Sequence, residues 1–193
     1  LFTIQSEMMP FGKQLDNLHI TLMGDLKHGR TVHSLSKLLS LYKNVKVTMI
    51  APDALQMPDN VVSTLTNAGH EVVMTDKLEG NLACDVIYQT RIQQERFASA
   101  AEADLYRGHF SLNKELYRQY CKEHTIIMHP LPRDSRSDAN ELDNDLNQNP
   151  NLAIFRQADN GVLIRMALFA LTLGVADKVD TYRCDVPWVT SKS

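Results

Sequence analysis

Residues 19–31 read HITLMGDLKHGRT, and this stretch decides the fold. The apolar run at 19–23 has the length and composition of a buried strand. Gly24 and Gly29 then allow a sharp turn, after which apolar residues take a helical spacing over 30–42. A strand, a turn and a helix in this order predict one unit of a parallel α/β sheet.

The same alternation continues through most of the chain. Further strands are predicted at 45–51, 71–75, 86–90 and 125–129, a short sixth strand at 153–155, and a second helix at 58–68. Strands separated by helices favour parallel pairing through right-handed crossovers. The expected fold class is therefore α/β, a Rossmann-like parallel sheet of about five strands flanked by helices.

Composition and charge exclude several classes of function. The chain has 193 residues, of which 44% are hydrophobic and 22% charged, as in an ordinary globular domain. Its net charge of −3 gives no attraction to nucleic acid or to an anionic membrane surface. The longest apolar stretch, 162–175, is interrupted by Arg165 and is too short to span a membrane. Three cysteines without paired metal-ligand spacing are typical of reduced thiols in a cytoplasmic protein.

Four segments are predicted along the chain. Residues 1–14 have the pattern of the tail of a helix that links from a domain outside this sequence. Residues 15–159 form the main domain, in which the polar stretch 138–151 could hold a short surface helix but is mostly a solvated connection. Residues 160–175 form a helix that is apolar on every side, so we expect it to pack toward the missing domain. Residues 176–193 form a C-terminal tail.

Three loops are expected to meet at one ligand site. In open parallel sheets, ligands bind beyond the carboxyl ends of the strands, where the strand order reverses. With the common order 3-2-1-4-5, the loops at 24–31, 90–93 and 129–133 follow neighbouring strands. These three loops contain arginine, whereas the loops after the second and third strands do not. This distribution predicts an anion site at one edge of the sheet.

The first two loops each supply an arginine that has two possible roles. Arg30 begins a helix, where amide donors, the helix dipole and a guanidinium favour an anion, although an ordinary turn with a surface arginine is the alternative. Arg91 leaves a buried strand, and Glu95 could form a structural ion pair with it or orient it toward a substrate carboxylate. Two arginines across one cleft favour a small dicarboxylate.

The third loop is stiffened by Pro130 and Pro132. These residues remove two amide donors and leave carbonyl oxygens that can receive an ammonium or amide group, although a plain proline-rich turn is the alternative. A metal site built from His28, His33 and His129 is not predicted, because the spacing of the first two fits one helical face poorly. We expect His129 instead to form a hydrogen bond within the turn.

The three loops together resemble one known family. Residues 24–34, GDLKHGRTVHS, are similar to the signature of the aspartate carbamoyltransferase catalytic chain, in its aspartate-binding domain. The similarity continues through TRIQ at 90–93, HPLPR at 129–133 and FRQ at 155–157, and it covers about residues 1–175. By this resemblance, the domain outside the sequence is the one that binds carbamoyl phosphate.

The resemblance implies roles for four residues on the aspartate side of the site. Arg30 and Arg91 fall on the family's two aspartate-binding arginines. Gln93 falls on a polar substrate contact, and Glu95 on an acidic residue that helps to place the second arginine.

The resemblance also implies the reaction. Pro130, Leu131 and Pro132 fall on a loop whose main chain touches carbamoyl phosphate and the incoming amine. The implied reaction is attack by the α-amino group of L-aspartate on carbamoyl phosphate, a step of pyrimidine biosynthesis that needs no metal or organic cofactor. The family further implies a cytoplasmic homotrimer whose active sites are shared between subunits.

Some family features have no counterpart in the sequence. The phosphate-binding Ser-Thr-Arg-Thr loop is absent, Gln94 stands where many members have lysine, and residues 134–137 replace a more usual acidic stretch. An ornithine-type carbamoyltransferase is the nearest alternative, although it tends to have cysteine where this chain has Pro130. A non-catalytic aspartate-binding or assembly module is an alternative of a different class.

Overall fold

The computed structural model describes residues 1–92, 101, 110–134, 140–179 and 181. Strands and helices alternate through these ranges, with short 3-10 turns between some of them. In chain order the elements are α1 (Phe2–Met8), a 3-10 turn (Met9–Phe11), β1 (His19–Met23), α2 (Arg30–Leu39), β2 (Lys46–Ile50), a 3-10 turn (Asp53–Leu55), α3 (Asp59–Asn67), β3 (Glu71–Thr75), β4 (Val86–Gln89), α4 (Lys114–Tyr120), β5 (Ile126–Met128), a 3-10 helix (Asn144–Gln148), α5 (Ile154–Thr172) and a 3-10 turn (Ala176–Lys178).

The five strands form one parallel sheet in the order β3-β2-β1-β4-β5. This confirms the predicted fold class and strand order, and the predicted ends of these strands are correct to within a residue. Strand β1 is central, with Thr21 opposite Thr48 of β2 on one side and Ile87 of β4 on the other. The strand order reverses between β1 and β4, so the carboxyl ends of these two strands border the crevice in which such sheets bind ligands.

Side chains alternate between two apolar layers, one on each face of the sheet. Ile20, Leu22 and Tyr88 face the layer that contains α1, α2 and α3. Met23 and Ile87 face the other layer, which contains α4 and the segment around the Asn144–Gln148 helix. Because both faces are covered, β1, β2 and β4 are nearly continuous in buried residues, as expected for a parallel sheet.

Three sequence predictions are wrong in detail. Residues 153–155 do not form a sixth strand, because Leu152 makes a single bridge with Ile127 and helix α5 begins at Ile154. That helix therefore starts before the predicted opening at residue 160. Within 140–151, the described part of the polar stretch, a short 3-10 helix forms as the sequence allowed, but Glu141, Leu142 and Leu146 are buried, so this part is less solvated than predicted.

The chain divides into two compact units, Leu1–Gln157 and Ala158–Ser193. The first contains the whole sheet. The second contains most of helix α5, in which many apolar side chains are exposed, with Phe169 and Leu171 67% and 66% exposed. Within the described residues, no helix combines the length and apolar character that crossing a bilayer would require.

Candidate anion-binding cleft

A cleft of about 190 Å³ lies where the loops after β1, β4 and β5 meet. This volume is below the roughly 300–1,000 Å³ of pockets for drug-sized ligands, so the cleft suits a small molecule. The structure brings together both arginines and the proline loop singled out in the sequence. The lining residues are Gly29, Arg30, Thr31, Thr90, Arg91, His129, Pro130, Leu131 and Pro132.

The loop after β1 is held by a buried carboxylate. Asp25 is fully buried and accepts a hydrogen bond from the backbone N–H of His28 at 2.9 Å, while the imidazole Nδ1 of His28 lies 3.1 Å from both carboxylate oxygens. Gly29 is required here, because a Cβ would lie 2.7 Å from the carbonyl oxygen of Asp25 and 2.9 Å from Cγ2 of Val32. The backbone between Asp25 and Arg30 is therefore held in one conformation.

Helix α2 presents its amino end to the cleft. Gly29 caps the helix without a side-chain hydrogen bond, and its carbonyl accepts from the N–H groups of Val32 and His33 at 3.1 and 3.2 Å. The positive end of the helix dipole is thus combined with the exposed guanidinium of Arg30. Both features favour a negatively charged group at this side of the cleft.

Arg91 is placed by the residue before it. The N–H and the hydroxyl of Thr90 both donate to the carbonyl oxygen of Met23, at 2.8 and 3.1 Å. These bonds join the end of β4 to the end of β1, so the half-buried Arg91 lines the same cleft as Arg30. Gln93 and Glu95, which the sequence also singled out, lie outside the described residues.

The loop after β5 has a constrained backbone. Leu131 has a φ of 56°, a conformation uncommon for a residue other than glycine, and its peptide bond to Pro132 is cis. The N–H of Leu131 donates to Nδ1 of His129 at 2.9 Å, which is the hydrogen bond within the turn that the sequence predicted. The N–H of His129 donates in turn to Oε1 of Gln157 at 3.0 Å.

Two supporting residues were not predicted to contribute to the site. Tyr88 is buried beneath the cleft, and this burial raises the pKa of its hydroxyl, although hydrogen bonds with Thr31 and Gln157 oppose the shift. Gln157 thus contacts both Tyr88 of β4 and the backbone of His129 at the start of the proline loop, and Tyr88 in turn contacts Thr31 of α2. Tyr88 looks like an ordinary apolar strand residue, and Gln157 was noted only as part of the FRQ motif at 155–157, without a role in the site.

The three histidines considered as metal ligands have separate partners. His28 contacts Asp25, Nε2 of His33 lies 2.8 Å from the carbonyl oxygen of Leu26, and His129 belongs to the proline loop. Within the part of the chain that the structure describes, no group of three or more His, Cys, Asp or Glu residues is arranged to hold a metal ion.

The fold and the cleft together define an α/β domain with an open parallel sheet and two arginines in a cleft at the carboxyl edge of that sheet. The chain belongs to the aspartate/ornithine carbamoyltransferase family, because the family model of the Asp/Orn-binding domain matches residues 16–172.

Sequence comparison with curated relatives agrees with this assignment. The chain is 60% identical over 192 residues to an aspartate carbamoyltransferase catalytic subunit from Cellvibrio japonicus, covering 99% of this chain and 57% of the relative. It is 58% identical over 194 residues to the corresponding subunit from Saccharophagus degradans, covering 100% of this chain and 58% of the relative. The chain thus spans little more than half the length of these relatives.

Solved structures show the same likeness. Aspartate transcarbamoylase from Trypanosoma cruzi, in complex with aspartate and phosphate, matches with a TM-score of 0.72 and 37% identity over 86% of this chain and 49% of that one. The catalytic subunit of the M. jannaschii enzyme matches with a TM-score of 0.74 and 30% identity over 93% of this chain and 56% of that one.

Proposed function

We propose that this chain supplies the L-aspartate-binding half of an aspartate carbamoyltransferase. The complete enzyme would transfer the carbamoyl group of carbamoyl phosphate to the α-amino group of L-aspartate, releasing N-carbamoyl-L-aspartate and phosphate, a step of pyrimidine biosynthesis. The names of the similar subunits and the aspartate and phosphate in the Trypanosoma cruzi structure support this reading.

The observation that carries the proposal is the shared cleft of Arg30 and Arg91. A dicarboxylate can place one carboxylate on each guanidinium, and each charge-assisted hydrogen bond contributes roughly 1.5–3 kcal/mol. Two such contacts would fix both the position and the direction of L-aspartate. By family resemblance, Gln93 adds a polar contact to the substrate and Glu95 orients Arg91.

The proline loop receives the reacting groups. In the proposed reaction, the α-amino nitrogen attacks the carbonyl carbon of carbamoyl phosphate, the carbon–oxygen bond to phosphate breaks, and the proton lost by the nitrogen leaves with the phosphate as hydrogen phosphate. The main chain of Pro130, Leu131 and Pro132 contacts the amine and carbamoyl phosphate. Catalysis then depends chiefly on proximity and on stabilisation of the anionic tetrahedral intermediate.

The same proposal extends to the rest of the enzyme. Residues 1–14 would link from a carbamoyl-phosphate-binding domain, and the apolar helix at 160–175 would pack toward that domain. The exposed apolar side chains of that helix support this part, because contiguous apolar surface usually marks an interaction site. Assembly as a cytoplasmic homotrimer with shared active sites follows from the family resemblance.

Titration calorimetry with L-aspartate, succinate and L-ornithine tests the substrate class. We expect the two dicarboxylates to bind and L-ornithine to bind more weakly, because its side-chain ammonium would face the guanidinium that the second carboxylate of a dicarboxylate occupies. Preference for L-ornithine would indicate the ornithine-type reaction instead. A parallel carbamoylation assay should show no turnover by this chain alone. Turnover without the second half would contradict the division of the site proposed above.

A further inference from the structure

The backbone of Leu131 needs support from outside its own residue. A φ of 56° lies in the left-handed region, which costs a residue other than glycine roughly 1–2 kcal/mol. The Leu131 N–H finds its acceptor in Nδ1 of His129, at 2.9 Å. The conformation of the loop therefore depends on how the imidazole of His129 is held and on which nitrogen carries its proton.

The hydrogen bond from Leu131 determines that proton's position. Because Nδ1 accepts, it carries no proton, and the proton of the ring lies on Nε2. Nε2 is 2.8 Å from Oε1 of Glu141, an approach that is close but lies off the ideal hydrogen-bond direction. The side chains of His129 and Glu141 are 1% and 7% exposed, so the attraction between the Nε2–H group and the carboxylate is little screened by the solvent.

Glu141 also holds the far end of the same loop. The backbone N–H of Asp134 donates to its carboxylate, with the nitrogen 3.1 Å from Oε1 and 3.3 Å from Oε2. One buried carboxylate thus contacts the first and last residues of the segment 129–134. A carboxylate is costly to bury unless its oxygens are occupied, so these contacts are strongly favoured over a looser arrangement.

We propose that Glu141 is a positioning residue, which acts through His129 and Asp134 to hold the main chain of Leu131 and Pro132 at the cleft. Glu141 does not line the cleft itself, and its effect on ligand binding passes through the loop. This inference rests on the proposed function, because the loop matters to L-aspartate only if the cleft is its binding site.

The first test is nuclear magnetic resonance of this chain labelled with ¹⁵N-histidine. The ring signals of His129 are assigned by their loss in His129→Gln. We expect an unprotonated Nδ1 and a protonated Nε2 in the unchanged chain and in Glu141→Gln, whose amide oxygen still faces Nε2. A protonated Nδ1 in the unchanged chain would overturn the inference. This test needs no ligand, so it stands even if the proposed function fails.

The second test is calorimetric titration with L-aspartate. We expect Glu141→Gln to bind within about threefold of the unchanged chain and Glu141→Leu to bind about tenfold to a hundredfold more weakly, as when a binding group is displaced by a fraction of an ångström. Glu123→Leu, at an exposed glutamate outside the cleft, is the matched control and should bind normally. Normal binding by Glu141→Leu would overturn the inference. If Glu141→Leu does not fold, the position of the proton on the His129 ring is the deciding measurement. If the unchanged chain binds no L-aspartate, the proposed function is wrong, and the His129 ring signals still test the inference.

Discussion

Arg156 forms a two-pronged ion pair with Glu7, which lies at the other end of the chain. Its Nε is 2.6 Å from Oε1 and its Nη2 is 2.9 Å from Oε2 of Glu7, and Nη2 also donates to the carbonyl oxygen of Pro150 at 3.1 Å. The hydrogen bonds to Glu7 raise the pKa of Arg156. The pair fastens α1 to the start of α5 within the unit Leu1–Gln157.

We expect Arg156→Ala to lower the free energy of unfolding by about 0.5–1 kcal/mol, because the pair is two-pronged but the arginine is half exposed. Urea denaturation measures the change. Arg118→Ala, at an exposed arginine of α4, is the control and should leave the unfolding midpoint almost unchanged. A loss no larger than the control's would show that the pair contributes nothing to stability.

Gly24 cannot accept a side chain. It has a φ of +112°, and an added Cβ would overlap the carbonyl oxygen of Thr90 and lie 2.7 Å from its Oγ1. We expect Gly24→Ala to cost roughly 2–4 kcal/mol of unfolding free energy, since both backbone strain and a backbone clash oppose it. Gly69 has a φ of +83° but open space around it. We therefore expect Gly69→Ala to cost only backbone strain, about 1 kcal/mol of unfolding free energy. Equal losses in the two variants would argue against the close approach to Thr90.

Asp85 links the amino ends of three strands. Its carboxylate accepts from Lys13, from the N–H of His19 at 3.0 Å and from Lys122 at 3.1 Å. Burial alone would raise the pKa of Asp85, but these hydrogen bonds outweigh burial and hold the pKa below its usual value. Since the folded-state pKa is depressed, the stabilisation is present above the ordinary value near 3.8 and is lost as pH falls through the folded-state pKa.

We therefore expect Asp85→Asn to be about 2 kcal/mol less stable than the unchanged chain at neutral pH, the scale of hydrogen bonds to a charged group. Urea denaturation from neutral pH to below the ordinary carboxyl pKa should show the two chains converging in strong acid. A difference that stays constant with pH would mean that the lost contribution is packing rather than charge.

Both arginines of the cleft should contribute to ligand binding. Arg30→Ala and Arg91→Ala should each weaken succinate binding by about tenfold to a hundredfold, because each removes a charge-assisted contact worth roughly 1.5–3 kcal/mol. Calorimetric titration measures both losses. Arg133→Ala is the matched control, since Arg133 is the last residue of the proline loop but does not line the cleft and donates to Asn147 at 3.0 Å. If a variant of either cleft arginine keeps full affinity, that arginine does not take part in ligand binding.

The sheet was predictable because its signals are local. Each strand from β1 to β5 is a short apolar run, and a parallel strand order then follows from a small set of known topologies. The placing of Arg30 and Arg91 in one cleft was predictable for the same reason, since the loops that carry them follow strands that become neighbours.

Glu141 and the start of α5 were not predictable in this way. Glu141 lies in a polar stretch that looks solvated, and only the tertiary fold buries it against His129. Likewise Ala153 and Ile154 have the β-branched and apolar character of a strand edge, but Leu152 has only one bridge to β5 before the chain turns into the helix. In both cases a long-range contact decides the local structure.

The exposed helix offers the last prediction. Phe169 and Leu171 are about two-thirds exposed, at 67% and 66%, so this chain should bind a hydrophobic fluorescent dye. We expect the double variant Phe169→Gln and Leu171→Gln to bind much less dye, while its unfolding free energy stays within about 0.5 kcal/mol, as for exposed positions in general. Leu41→Gln, at an apolar residue outside that helix that is 76% exposed, should leave dye binding unchanged. If the proposed second domain covers this helix, joining the chain to the remainder of the Cellvibrio japonicus subunit should suppress dye binding to the level of the double variant. Undiminished dye binding in that joined chain would show that the helix does not pack toward the added domain.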